Sequence, residues 1–189
     1  WFAGERYATP VGAVASLPLA DGSRITLNTD SKVRVLFSER QRHVDLSQGE
    51  AFFEVAHDGQ RPFVVQAGSR RIVAVGTQFS VRREGDVVQV VVTEGRVRVE
   101  NGEAQGDQGS QSKAAGPRAG RVMLSAGGVA RAGNDNVVVK NRPLAEAEEI
   151  LGWRSGYVFF RETRLDDAVG EFNRYNTRQV VIRDACVGA

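Results

Sequence analysis

The chain has 189 residues, enough for one large domain or two small ones, with 41% hydrophobic and 25% charged residues. Its formal net charge is only +2, and the basic residues are nearly all arginines spread along the sequence, a solvated surface of mixed sign rather than a nucleic-acid track. The lone Cys186 excludes an intrachain disulfide, no run of eighteen apolar residues predicts a membrane span, and no signal peptide is present.

The chain opens with Trp1-Phe2-Ala3-Gly4. That aromatic pair reads either as the interfacial edge of a preceding membrane helix, a depth that Trp favours, or as an arbitrary boundary. From Val11 to Val99 the sequence then reads almost entirely as strands. Ile25–Leu27, Val33–Phe37 and Val88–Val92 are β-rich runs, and Arg96–Glu100 alternates cleanly with Val97 and Val99 on one face. Turn signals separate them at Ala20-Asp21-Gly22-Ser23, Ser47-Gln48-Gly49, His57-Asp58-Gly59 and Glu84-Gly85-Asp86. An apolar-x-x-Gly pattern recurs at Leu19–Gly22, Leu46–Gly49, Val92–Gly95 and Leu124–Gly127, but its unequal spacing argues against a regular solenoid. The expected fold is mainly β, a sandwich or a β-roll with some helical winding of strands.

Residues 101–120 are rich in Gly, Gln, Ser and Ala and read as a flexible loop. Arg121–Leu124 and Val137–Val139 offer further strands. The period then changes. Pro143 suits a helix start, Leu144, Ala147, Ile150 and Leu151 share a face, and Gly152 suits the end. Tyr157–Phe160 reads as a strand, and Thr163 as the cap of a second helix with Leu165, Ala168, Val169, Phe172 and Tyr175 as its apolar stripe. Gln179–Ile182 reads as another strand. Together these predict a small βαβ unit, so the domains divide as 1–136 and 137–189.

Catalytic and metal chemistry find little support. His43 and His57 stand fourteen residues apart with no paired cysteine, so no metal site is expected, and no cofactor. Glu50 and Glu94 flank turn glycines and read as turn or salt-bridge residues rather than an acid/base pair. Gly49, Gly76 and Gly95 lie within β-runs and read as bends or bulges. Phe52, Phe53, Phe63 and Phe79 read as core between sheets, with a ligand pocket as the alternative.

Five segments, in order, resemble the periplasmic domain of FecR-type regulators. They are Thr9-x-x-Gly12 leading to Leu19-x-Asp21-Gly22-Ser23-x-x-x-Leu27-Asn28; Leu46-x-x-Gly49-Glu50-Ala51-x-Phe53-x-Val55; Arg61-Pro62-Phe63-x-Val65; Val73-x-x-Gly76-Thr77-x-Phe79-x-Val81; and Val90-x-Val92-x-Glu94-Gly95-x-Val97-x-Val99. The part from Trp153 to Asp184 is similar to the start of the secretin and TonB short N-terminal domain, an α+β unit, but stops after one βαβ unit where that family usually supplies a second.

The resemblance implies a signal-receiving module in the periplasm, the soluble part of a single-pass inner-membrane protein. Its implied partner is the N-terminal signalling domain of an outer-membrane TonB-dependent, siderophore-type receptor. In the whole protein an extracytoplasmic-function sigma factor and periplasmic or membrane proteases are implied too. A carbohydrate- or siderophore-binding β-domain and a structural periplasmic module are the alternatives. The expected partner-binding residues are Tyr157, Val158, Phe159, Phe160, Val180, Val181 and Ile182, on strands with an open edge, although Tyr157, Phe159 and Phe160 read mostly as core. The resemblance further implies self-cleavage at Gly76-Thr77, where the threonine hydroxyl attacks the preceding carbonyl; otherwise no enzyme activity is expected.

Overall fold

The structure is a computed structural model that describes residues 4–102, 121–133 and 136–183. Expectations for Trp1-Phe2, for residues 103–120 and for Cys186 lie outside the described residues. The described strands are β1 (Glu5–Ala8), β2 (Ala15–Pro18), β3 (Arg24–Leu27), β4 (Lys32–Phe37), β5 (Arg42–Glu54), β6 (Phe63–Ala67), β7 (Arg70–Ala74), β8 (Gln78–Glu84), β9 (Val87–Glu94), β10 (Arg96–Asn101), β11 (Val122–Ser125), β12 (Gly128–Ala132) and β13 (Val137–Asn141). Two helices follow, α1 (Leu144–Ile150) and α2 (Leu165–Arg174), with a 3₁₀ turn at Gly152–Ser155 between them. No described helix is long and apolar enough to cross a membrane.

The strands form one curled sheet with two layers that share β5. The first layer runs β1-β4-β5-β6-β7-β10-β11 and the second β2-β3-β5-β8-β9-β12-β13. All pairings are antiparallel except β5 with β6. The chain winds between the layers in pairs: β6 and β7 in the first, β8 and β9 in the second, β10 and β11 in the first, β12 and β13 in the second. The outcome is the β-roll, one of the two shapes expected.

The apolar-x-x-Gly pattern acquires a physical meaning here. Gly22, Gly49, Gly95 and Gly127 all have positive φ, between 75° and 84°. Three of them mark crossings between layers: Gly49 inside β5, Gly95 between β9 and β10, Gly127 between β11 and β12. Sequence patterning made Ser47–Gly49 a turn between strands. Instead β5 runs straight through and changes layers there, pairing with β4 and β6 before Gly49 and with β8 and β3 from it onward. A Cβ at Gly49 would stand 2.6 Å from Ser31 Cα, so the close approach of the two chains also demands glycine.

Side chains alternate as the strands require, and the inward sets from both layers meet in one core. Val44, Leu46, Phe63, Val65, Ile72, Val97 and Val99 come from the first layer; Ile25, Leu27, Phe53, Phe79, Val81, Val90 and Val92 from the second. Phe53 stacks on Phe79 at 5.1 Å and meets Phe63 edge-on at 5.8 Å. These three phenylalanines are core, as expected. Phe52 is not with them: it faces outward from the second layer, where Val91, Ala147, Leu151 and Trp153 bury it.

The C-terminal part departs from expectation in three places. Val137–Asn141 is not the start of a separate unit but pairs residue by residue with β12, the second layer's edge. Neither Tyr157–Phe160 nor Gln179–Ile182 forms a strand, so the βαβ unit is not formed in the described residues. A lone pair of strands has little stability without a third, and β propensity cannot supply the missing partner. Finally, Thr163 does not cap α2. The N-cap is Arg164, with no side-chain cap bond, and the Thr163 hydroxyl donates to Arg161 O instead.

Candidate functional site

The second layer presents its outward face to the helical segment, and the two meet around one buried carboxylate. Strand alternation sends Glu50, like Phe52, to that outer face, beneath the 3₁₀ turn. Glu50 Oε1 accepts from Trp153 Nε1 at 3.0 Å and from Ser80 Oγ at 3.2 Å. Its Oε2 accepts from Asn28 Nδ2 at 3.0 Å and from Arg174 Nη2 at 3.2 Å. The carboxylate is 5% exposed, so these four donors replace the water it has lost.

Further bonds extend the contact. Asn28 Nδ2 also donates to Tyr175 Oη at 2.9 Å, and Thr29 Oγ1 to Arg174 O at 3.0 Å. Arg82 Nη1 pairs with Glu171 at 2.6 Å, and Arg174 Nη1 with the other oxygen of Glu171 at 2.7 Å. Burial, reinforced by the Glu50 charge, raises the Tyr175 hydroxyl above its ordinary pKa despite the opposing bond from Asn28. Arg154 lies over the Phe52 ring at 3.8 Å, the distance of a cation–π stack, and burial lowers its pKa.

The expected partner-binding residues lie on the other side of this segment. Tyr157 is 65% exposed, Phe159 56% and Val181 73%; Val158, Phe160 and Val180 are also exposed, while Ile182 is half-buried. Leu165 and Phe172 of α2 join them as exposed apolar side chains. The expected open strand edge is absent, because neither run is a strand. At Val180 the side chain of Asn173 takes the backbone instead, donating to its carbonyl at 2.9 Å and accepting from its N–H at 2.8 Å. What remains is a set of exposed apolar side chains, with the Tyr157 and Phe159 rings 6.3 Å apart.

Gly76 and Thr77 sit where the chain crosses from β7 to β8. Thr77 is buried, and its Oγ1 has no hydrogen-bond partner among the described residues. A Cβ on Gly95 would stand 2.8 Å from Thr77 Cγ2 and 2.9 Å from Gly76 O, so a second glycine crossing packs directly on the peptide bond. On the other side His57 Nδ1 lies 2.7 Å from where a Gly76 Cβ would be. The loop after β5 thus brings an imidazole close to Gly76. The peptide is pinned by Val55 N donating to Thr77 O and Asp58 N to Val75 O, both at 3.0 Å.

His43 lies apart from His57 on the outer face of the first layer, and no group of three or more His, Cys, Asp or Glu gathers among the described residues. Glu94 accepts from Gln78 at 2.6 Å on the surface, a structural contact as expected. Sequence reasoning passed over Asn28, Trp153 and Arg174 as site residues. The available signal was Phe52-Phe53: two adjacent phenylalanines mean a strand covered on both faces, so something had to lie over Glu50 and Phe52.

Residues 5–98 match the family model described as FecR protein. Two crystal structures of a candidate anti-sigma factor from Parabacteroides distasonis, at 2.50 and 1.65 Å resolution, share the fold. The first has a TM-score of 0.75 at 22% identity, over 96% of this chain and 81% of that one; the second 0.73 at 22%, over 90% and 74%. At that identity the likeness is one of fold. No curated protein matches the sequence.

Proposed function

Since residues 5–98 form a FecR-type domain, we propose that the chain is the signal-receiving module of a sigma-factor regulator on the periplasmic side of the inner membrane. Its partner in this reading is the N-terminal signalling domain of an outer-membrane TonB-dependent receptor of the siderophore class. The observation that carries the proposal is the exposed apolar surface of Tyr157–Phe160, Leu165, Phe172 and Val180–Val181, on a segment otherwise tied to the β-roll through Glu50. Interaction surfaces concentrate aromatic residues in this way. Titrating the chain calorimetrically with the purified signalling domain tests the reading: saturable binding supports it, and heat of dilution alone contradicts it.

A second reading concerns Gly76-Thr77, and the unpartnered, buried Thr77 hydroxyl favours it. In this proposal Oγ1 attacks the Gly76 carbonyl carbon, the C–N bond breaks, and the Thr77 nitrogen takes a proton and leaves as an amine. Water then hydrolyses the ester, giving a Gly76 carboxylate and a free Thr77 hydroxyl. His57 stands beside the bond as a group able to carry the proton. The fragments stay together because β8 pairs with β5 and β10 with β7 across the break.

A further inference from the structure

We infer that α2 is an arm held shut on the β-roll by a polar clasp, and that it opens about residues 156–164 while α1 and the 3₁₀ turn stay anchored. This goes beyond the proposed function and needs no partner.

The two parts of the helical segment are attached by different physics. Ala147, Leu151 and Trp153 are buried against Phe52 and Val91, an apolar contact that salt does not weaken. The α2 helix buries none of its residues, although its sequence has an apolar stripe. Of that stripe Leu165 and Phe172 are outward and Ala168 and Val169 only half-buried, while Glu171 and Arg174 reach toward the sheet. Its hold includes Arg82–Glu171, Arg174–Glu50, a longer Arg174–Glu84 pair at 4.0 Å and the Thr29 bond to Arg174 O, with Tyr175 just past its end adding a bond to Asn28 and some packing. Arg82, Glu171 and Arg174 keep 17% to 22% of their side-chain surface exposed, so solvent and salt reach the clasp.

The connection is built to bend. Gly156 has φ 81°, and Glu162, a residue with a side chain, has φ 49°. Between them run Tyr157–Phe160, exposed and outside any strand. The backbone tie Tyr157 N to Gly152 O ends at the base of the arm, the Phe159 ring lies against Gly152, and Arg161 pairs with Glu149 of α1. Opening therefore breaks a few ion pairs and hydrogen bonds and uncovers little apolar surface.

Hydrogen–deuterium exchange on the full chain tests this, comparing amides 165–175 with 144–155. The comparison is made at low salt, at about 1 M NaCl where screening acts beyond about 3 Å, and in the surface variant Glu171→Gln. The clasp predicts that α2 exchanges at least about tenfold faster in high salt and in the variant, corresponding to about 1.4 kcal/mol, with 144–155 unchanged. Trp153 fluorescence then stays near its wild-type wavelength, because Phe52, Val91, Ala147 and Leu151 still cluster with it and Glu50 still accepts its N–H. Unchanged α2 exchange under both perturbations, or loosening of both segments together, overturns the inference. Because no partner is present, that result leaves the proposed receptor binding untouched.

Discussion

Trp153 donates its indole N–H to Glu50 Oε1 across 3.0 Å, joining residues 103 positions apart. That bond fixes the 3₁₀ turn on the β-roll and leaves Glu50 poised between the sheet and α2. Removing the carboxylate takes an acceptor from Arg174, Asn28, Ser80 and the indole at once, although Arg174 keeps Glu171 and Asn28 keeps Tyr175. Glu50→Ala is expected to cost about 3–5 kcal/mol, as for a broken buried pair. Trp153→Phe, which leaves Ser80 on the same oxygen, removes one donor and costs about 1–3 kcal/mol. Urea unfolding of the two variants checks the order as well as the size.

Arg42 and Asp21 form a second buried contact, at 2.8 Å with 0% and 4% of their side chains exposed. Arg42 also donates to Ala56 O and Arg61 O, so it ties the β2–β3 turn to the loop after β5. Burial pushes the Asp21 carboxyl up, but bonds from Ser23 and Arg42 outweigh it and leave the pKa below the ordinary value. A depressed carboxyl contributes stability that is complete above its unfolded pKa of about 4 and drains as pH falls through the folded value. Thermal melts should therefore be insensitive to this pair from pH 7 to 5 and fall below about pH 4. Asp21→Asn should lower the melt at neutral pH and flatten the acid limb. A variant with the wild-type acid profile would show that Asp21 is not its source.

At Gly49 the φ of 83° and the 2.6 Å approach to Ser31 Cα make two separate penalties for any side chain. Gly49→Ala should lose about 2–5 kcal/mol, the left-handed cost plus overpacking. Gly59→Ala, with open space around it and no positive φ, is the control and should change stability by less than about 0.5 kcal/mol. Equal effects would mean that the layer crossing does not depend on glycine.

Self-cleavage at Gly76-Thr77 predicts two bands when freshly purified protein is run under denaturing conditions. Thr77→Ala should give one band, and His57→Gln should slow the appearance of fragments. A single intact band from wild-type protein sinks this reading and leaves Gly76 as the residue that lets His57 approach.

Much of the β-roll was legible because it is written locally. Asp21-Gly22 and Gly85 mark hairpins, and Val97 and Val99 alternate into the core. Layer switching was not, since Gly49 looks like a turn until β8 and β3 are known to take over its strand. Tyr157–Phe160 failed for the same reason in reverse: its residues favour a strand, but a strand needs a neighbour that local sequence does not report. Tyr157, Phe159 and Phe160, read mostly as core, are exposed because no strand forms there to bury them, and the carboxylate that seats their segment was read as a turn or salt-bridge residue. Its donors lie 22, 30, 103 and 124 positions away, beyond any local pattern.

Calorimetric titration with the receptor signalling domain, comparing wild type with Phe159→Ser and Phe172→Ser, tests the central claim most directly. Both positions are exposed, so the fold should survive, and melts that match wild type confirm it. A chain cut after Gly156 adds a stronger comparison that spares β13 and the packed 3₁₀ turn. The account predicts that each substitution weakens binding at least about tenfold, about 1.4 kcal/mol, and that the shortened chain does not bind. Unchanged affinity in all three would contradict it and move the signal-receiving surface to the β-roll.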